Sequence, residues 1–135
     1  NALVREARVL MASTSPMITD LFREVVGSAD TLSGPLVTEA AKRGDRLAIE
    51  LIGEVGRWLG VGIANLAAAL DPGTFVIGGG VSAAGEFLLG PARETFRRHL
   101  TGRGYRPEAR IVAAALGNDA GVIGAAELAR DALST

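Results

Sequence analysis

Apolar residues recur at helical spacing through most of the chain. Leu3, Val4, Ala7 and Leu10 or Met11 share one face of a helix expected over residues 2–11. Ser13-Thr14-Ser15-Pro16 interrupts the pattern. Ile18, Leu21, Phe22 and Val25 restore it over residues 17–26, and Gly27 closes that segment in a left-handed cap. Ser33-Gly34-Pro35 is a helix start and Gly44 a stop, which predicts a short helix over 35–43. Asp45 then caps a long helix running to about Leu70. Its apolar positions widen from a stripe to nearly all round, and its charges end at Arg57, so the second half, Trp58 included, is expected to be buried. Gly53, Gly56, Gly60 and Gly62 are poor helix formers, and close approach of a neighbouring element is the expected compensation.

The pattern changes after Asp71-Pro72-Gly73. Residues 74–77 are β-branched and aromatic, and read as a buried strand that runs into Gly78-Gly79-Gly80. Ser82 is a candidate cap for a helical segment around residues 86–89, which Gly90-Pro91 is expected to break. Pro91 suits the first position of a further helix to about Leu100. A loop at residues 101–104 leads to a second strand over 110–115, and Asn118 caps a last helix over 119–133. Two strands are too few for a stable sheet, so the pattern fits part of an α/β fold, mostly helical in this segment, whose remaining strands lie elsewhere.

Composition narrows the chemistry. With 48% hydrophobic residues the 135-residue chain can pack a core, and a net charge of -1 argues against nucleic acid or an anionic membrane as partner. The longest nearly uncharged run, residues 58–70, is too short for the roughly 20 residues of a membrane span. No signal-peptide pattern appears, so the expectation is a soluble, cytoplasmic protein, and Asn1 in place of a start methionine hints at a longer natural chain. Lys42 is the only lysine and follows alanine, which excludes a P-loop. There is no cysteine, one histidine, His99, and no acidic cluster at ligand spacing, so the chain offers no metal site of its own.

The glycine triplet has three readings. It can be a tight strand-to-helix turn without ligand. It can belong to a dinucleotide fingerprint, since Gly78-x-Gly80-x-x-Ala83 fits that pattern. Gly85, Gly90 and Pro91 interrupt the helix the fingerprint needs, position 98 holds Arg98 rather than an acid, and Leu116-Gly117-Asn118 supplies no carboxylate at the second strand's tip. The third reading is an adenosine platform, where bare backbone lets a purine and ribose lie against the chain beyond the strand ends, with Ser82 adding a polar contact.

The stretch from Trp58 to Ser82, with its glycine-rich helix, Leu70-Asp71-Pro72, Val76-Ile77 and Gly78-Gly79-Gly80-Val81-Ser82, resembles the C-terminal lobe of the ROK family of bacterial sugar kinases and repressors. Gly90-Pro91, Tyr105-Arg106-Pro107, Leu116-Gly117 and Ala120-Gly121-Val122-Ile123-Gly124-Ala125-Ala126 continue the likeness, which is closest to ROK-type glucokinases. It runs from about Asp45 to Arg130 and is weaker before. The resemblance implies an actin/hexokinase-like (ribonuclease H-like) two-lobed fold, with ATP and sugar between the lobes. It implies that Gly78, Gly79 and Gly80 contact the adenosine and adjoining phosphate region of ATP, with Ser82 a lesser candidate, and that Ala120, Gly121 and Gly124 serve close packing of the last helix. It further implies magnesium with the nucleotide, glucose as the hexose, and assembly as a homodimer or homotetramer.

What the resemblance requires for chemistry is not in these residues. The family's Asp-x-Gly-Gly-Thr phosphate loop, catalytic aspartate, Glu-x-Gly-His sugar motif and cysteine-rich zinc loop are absent from the sequence, so residues 1–135 are expected to be the C-terminal segment of such a kinase, without catalytic residues and inactive alone. The remaining polar groups read as structural. Asp71 sits at a helix-to-strand turn, Glu50 and Glu54 lie on a solvated helix face, and His99 ends a helix. Arg93, Arg97, Arg98, Arg103 and Arg106 are interleaved with Glu86, Glu94 and Glu108. The competing expectations are a ROK-type sugar-responsive repressor, carrying a DNA-binding helix-turn-helix upstream, and an interaction module without ligand.

Overall fold

The fold is seen in a computed structural model that describes residues 2–12, 18–28, 30–102, 104–105 and 107–133. The elements are α1 (Ala2–Ala12), α2 (Asp20–Val26), α3 (Gly34–Lys42), α4 (Arg46–Leu70), β1 (Thr74–Ile77), α5 (Glu86–His99), β2 (Arg110–Ala113) and α6 (Ala120–Leu133), with 3-10 turns at Gly80–Ala84 and Gly117–Asp119. The Ser13–Pro16 interruption, the expected helix start at Met17, Arg103, Arg106 and the Asn118 side chain lie outside what is described.

Two linked caps start the helical layer. Thr19 accepts a hydrogen bond from the Phe22 N–H at 2.9 Å, which fixes the start of α2 at Asp20. Asp45, buried, accepts from the Ala48 N–H at 2.8 Å and so caps α4 as its position in the sequence indicates. The Thr19 hydroxyl donates to the other Asp45 oxygen, which ties the two helix starts together. Asp45→Ala is therefore expected to cost about 1–3 kcal/mol, since a cap and a buried acceptor go together. Urea unfolding measures this, and an unchanged midpoint would refute it.

Helices α1, α2 and α3 and the first half of α4 enclose one core, with Leu3, Phe22, Val26, Val37, Leu51 and Ile52 buried. The second half of α4 packs with α5 and the sheet through Ile63, Ala67, Leu89, Phe96 and Ile111. Here the structure corrects the expectation of all-round burial. Trp58 is 69% exposed, and Leu66 and Leu70 are exposed as well. The small residues Gly56, Gly60, Ala64 and Ala67 make one narrow contact face, and α5 covers that face alone. In the 135-residue chain Trp58, the sole tryptophan, should fluoresce as a water-exposed indole open to acrylamide quenching; a shielded emission would contradict this placement.

Two of the four helix glycines have the close neighbour that their positions require. A Cβ at Gly56 would meet the Leu88 carbonyl oxygen at 2.4 Å, and one at Gly60 the Ala92 carbonyl oxygen at 2.4 Å. Gly53 has ordinary contacts and Gly62 none within 4 Å. The contacts advance together along α4 and α5, so the two helices run side by side in the same direction. The Gly90-Pro91 break does not occur. Pro91 lies inside the continuous α5, its ring against α4, where the Gly56 Cβ position is 3.3 Å from Pro91 Cβ. Packing into the glycine face outweighs the roughly 3 kcal/mol that proline costs within a helix. Ser82 does not cap α5 either; Gly85 occupies that position.

β1 and β2 pair in parallel, Thr74 beside Arg110 and Ile77 beside Ala113, with α5 as the crossover. β1 is not buried on both faces as expected: Phe75 and Ile77 are half-buried while Thr74 and Val76 are exposed. Phe75 meets Phe96 edge-on, with ring centroids 6.5 Å apart. β2 ends at Ala113 rather than 115, because Gly117–Asp119 begins a 3-10 lead into α6. Among the described residues Gly121 and Gly124 do not serve close packing: a Cβ at either would have no neighbour within 4 Å, and Val122 and Leu128 are exposed. Among the described residues no helix is long and apolar enough to cross a membrane.

Candidate nucleotide cleft

The three glycines leave β1 at its C-terminal end. Gly78 lies beside Ala114, whose Cβ is 3.7 Å from a Cβ placed on the glycine. Gly79 has φ 83 and ψ 176, a conformation nearly confined to glycine. The chain then winds into the 3-10 turn Gly80–Ala84, where Ala84 enters the core beside α3. Ser82 is 8% exposed, and its hydroxyl donates to the Gly79 carbonyl at 2.7 Å. The Ser82 N–H donates to the same oxygen at 3.0 Å.

Beyond the ends of β1 and β2 lies a cleft of about 220 Å³, lined by Gly79, Gly80, Ser82, Ala83, Ala113, Ala114, Ala115 and Gly117. Gly79, Gly80 and Ser82 thus come together here, and Gly78 sits at the strand end just behind them. Ala83 was named only within the dinucleotide fingerprint, and the run from Ala113 was missed by sequence reasoning. Its signal was three consecutive alanines and Leu116-Gly117 at the tip of the second strand, where small side chains leave room for a ligand. No charged side chain lines the cleft among the described residues. Its small apolar walls and exposed backbone suit a flat ring that hydrogen-bonds to main chain. Adenosine fits that description. Among the described residues no group of three or more histidine, aspartate or glutamate side chains could hold a metal ion.

A larger groove of about 390 Å³ runs along the outer edge of β2, between Arg93, Phe96 and Arg97 on α5 and residues 108–112. Arg93, Arg97 and Glu108 are engaged at home. Arg93 pairs with Glu86 at 2.7 Å and donates to the Ile111 carbonyl at 3.0 Å, while Arg97 lies 3.4 Å from Glu108. Arg98 pairs with Glu94 on the solvent side. The other polar candidates are also structural. His99 Nδ1 lies 2.9 Å from the Thr95 carbonyl at the exposed end of α5. Asp71 takes a left-handed φ of 45 to end α4. The hydrogen bond from Arg57 holds the exposed Glu54 carboxyl below the usual carboxylate range.

Residues 11–132 match the ROK family. The chain belongs to the ROK family. It is 40% identical to the glucokinase of Streptomyces coelicolor over 130 residues, which is 96% of this chain and 41% of that protein. The chain thus spans about two-fifths of the length of that relative. Among solved structures it is similar to a ROK family glucokinase from Streptomyces griseus in complex with glucose and AMPPNP, with a TM-score of 0.85 at 45% identity over 96% of this chain and 42% of that one. It is similar also to the ROK hexokinase from Thermus thermophilus, with a TM-score of 0.60 at 31% identity over 92% and 35% of the two chains. The architecture of the ROK member is accordingly that of the actin/hexokinase-like sugar kinases, mostly helical with two strands in this segment.

Proposed function

We propose that this ROK protein, at full length, transfers the γ-phosphoryl group of ATP to glucose, and that residues 1–135 form a C-terminal segment supplying the adenosine side of the nucleotide site. The observation that carries the proposal is the glycine- and alanine-lined cleft at the carboxyl ends of two parallel strands, the place where ligands settle in such sheets. The Streptomyces griseus relative, bound to glucose and AMPPNP, supports both substrates. The larger groove beside β2 is the weaker candidate, because Arg93 and Arg97 already face glutamates and it lies away from the carboxyl ends of the strands.

In this reading Gly79 and Gly80 offer bare backbone to the purine and ribose, Gly78 sets the strand end, and the alanines from Ala113 to Ala115 form the opposite wall. Their work is binding and orientation, which carries most of the catalysis in phosphoryl transfer. Magnesium bound with ATP would offset charge on the phosphates. The acid-base step on the sugar hydroxyl falls to residues outside this chain, as do any zinc ligands. Assembly as a dimer or tetramer and action in the cytoplasm belong to the same proposal. The repressor alternative has no observation in its favour.

A coupled assay for glucose 6-phosphate tests the proposal. The full-length protein is expected to turn over glucose with ATP, and the 135-residue chain alone to give no product. Absence of glucose-dependent ATP consumption by the full-length protein would overturn the assignment.

A further inference from the structure

The Gly79 carbonyl accepts two hydrogen bonds from one residue, the Ser82 N–H at 3.0 Å and the Ser82 hydroxyl at 2.7 Å. A carbonyl oxygen has two lone pairs, so both are used. The N–H bond belongs to the 3-10 turn and would form with any residue but proline at position 82. The hydroxyl bond exists only because a serine is there. Ser82 borders the cleft but is almost wholly buried, and two residues later Ala84 is anchored in the core, so the donor is held in place.

Among the described residues no side chain other than Ser82 holds this loop. A Cβ at Gly79 or at Gly80 would meet no protein atom within 4 Å. Gly79, at φ 83, has many other conformations open to it, since it has no side chain to restrict them. The orientation of the peptide between Gly79 and Gly80 therefore depends on what grips its carbonyl. In a trans peptide the N–H points opposite to the C=O. Fixing the Gly79 carbonyl toward Ser82 thus turns the Gly80 N–H to the other side of that peptide, away from the Ser82 grip.

We propose that Ser82 is a positioning residue rather than a ligand contact: its hydroxyl, by clamping the Gly79 carbonyl, sets the Gly79–Gly80 backbone that receives the nucleotide. The inference rests on the nucleotide-site reading above. It also names a determinant of ATP affinity that never has to touch ATP.

The test measures KM for ATP, KM for glucose, kcat and the thermal midpoint of the full-length protein with Ser82→Ala, Ser82→Thr and Gly80→Val. Ser82→Ala is expected to raise KM for ATP about three- to tenfold, the equivalent of one lost buried hydrogen bond, with KM for glucose and kcat nearly unchanged. Ser82→Thr, which keeps a hydroxyl, should recover most of that loss. If Ser82→Ala leaves KM for ATP unchanged while Gly80→Val raises it, the site stands and the positioning role is overturned. Equal rises in both KM values together with a fall in thermal midpoint would also overturn it, since that is the signature of a merely structural serine. If Gly80→Val itself leaves KM for ATP unchanged, the nucleotide-site reading is what fails.

Discussion

Gly60→Ala should unfold this protein far more readily than a one-methyl change ordinarily does. The added Cβ would lie 2.4 Å from the Ala92 carbonyl oxygen, 2.8 Å from Thr95 Cβ and 3.0 Å from the Phe96 nitrogen. Two of these atoms are backbone of α5 and cannot swing aside, so relief requires α4 and α5 to separate. That interface joins the second half of α4 to Phe96, Leu89 and Ile111, and separation loosens the whole cluster. Glycine to alanine in a helix interior would otherwise gain about 1 kcal/mol from propensity. Here a loss of about 3 kcal/mol or more is expected, the upper range of overpacking. Gly62→Ala is the internal control: it is exposed on the same helix with no atom within 4 Å, and should be neutral or stabilising. Urea unfolding of the two variants decides the matter. Equal midpoints would mean that α4 and α5 are not in the close register described.

The second large effect is on ligand binding. Gly80→Val in the full-length protein should raise KM for ATP by at least about tenfold, or 1.4 kcal/mol. The substitution places three carbons in a cleft of about 220 Å³, on a wall where the protein itself leaves open space. Gly79 is a poorer probe, because at φ 83 any side chain strains the backbone whatever the room. Gly80 carries no such restriction, so the fold should tolerate valine and the cost should appear in nucleotide affinity. KM for glucose should hardly move. A parallel loss for both substrates, or none for ATP, would place the nucleotide elsewhere.

Local rules made much of this structure legible in the sequence. Asp45, Gly27 and Gly44 mark helix ends through cap geometry that depends on near neighbours alone, and the structure places each where its chemistry indicates. The glycine triplet was legible as the end of a strand for the same reason. The failures share another cause. Pro91 reads as a break on propensity, but the face formed by Gly53 and Gly56 on α4, more than thirty residues earlier, accepts its ring and keeps α5 whole. Trp58 reads as core because charges stop at Arg57, yet the face it occupies is turned away from α5. The far wall of the cleft was hidden likewise. Ala113, Ala114 and Ala115 come to face the glycines only through the parallel pairing of β1 and β2, and pairing is a tertiary fact. Ser82 was legible as polar and near the site, while its commitment to the Gly79 carbonyl needed coordinates.

The central claim is that nucleotide rests on the Gly78–Ser82 backbone and the facing end of β2. Amide hydrogen exchange on the full-length protein, with and without a non-hydrolysable ATP analogue, tests it most directly. The account predicts that the analogue protects amides at residues 78–82 and 113–117, and that glucose alone protects them far less. Protection confined to other segments, with these two unchanged, would contradict it.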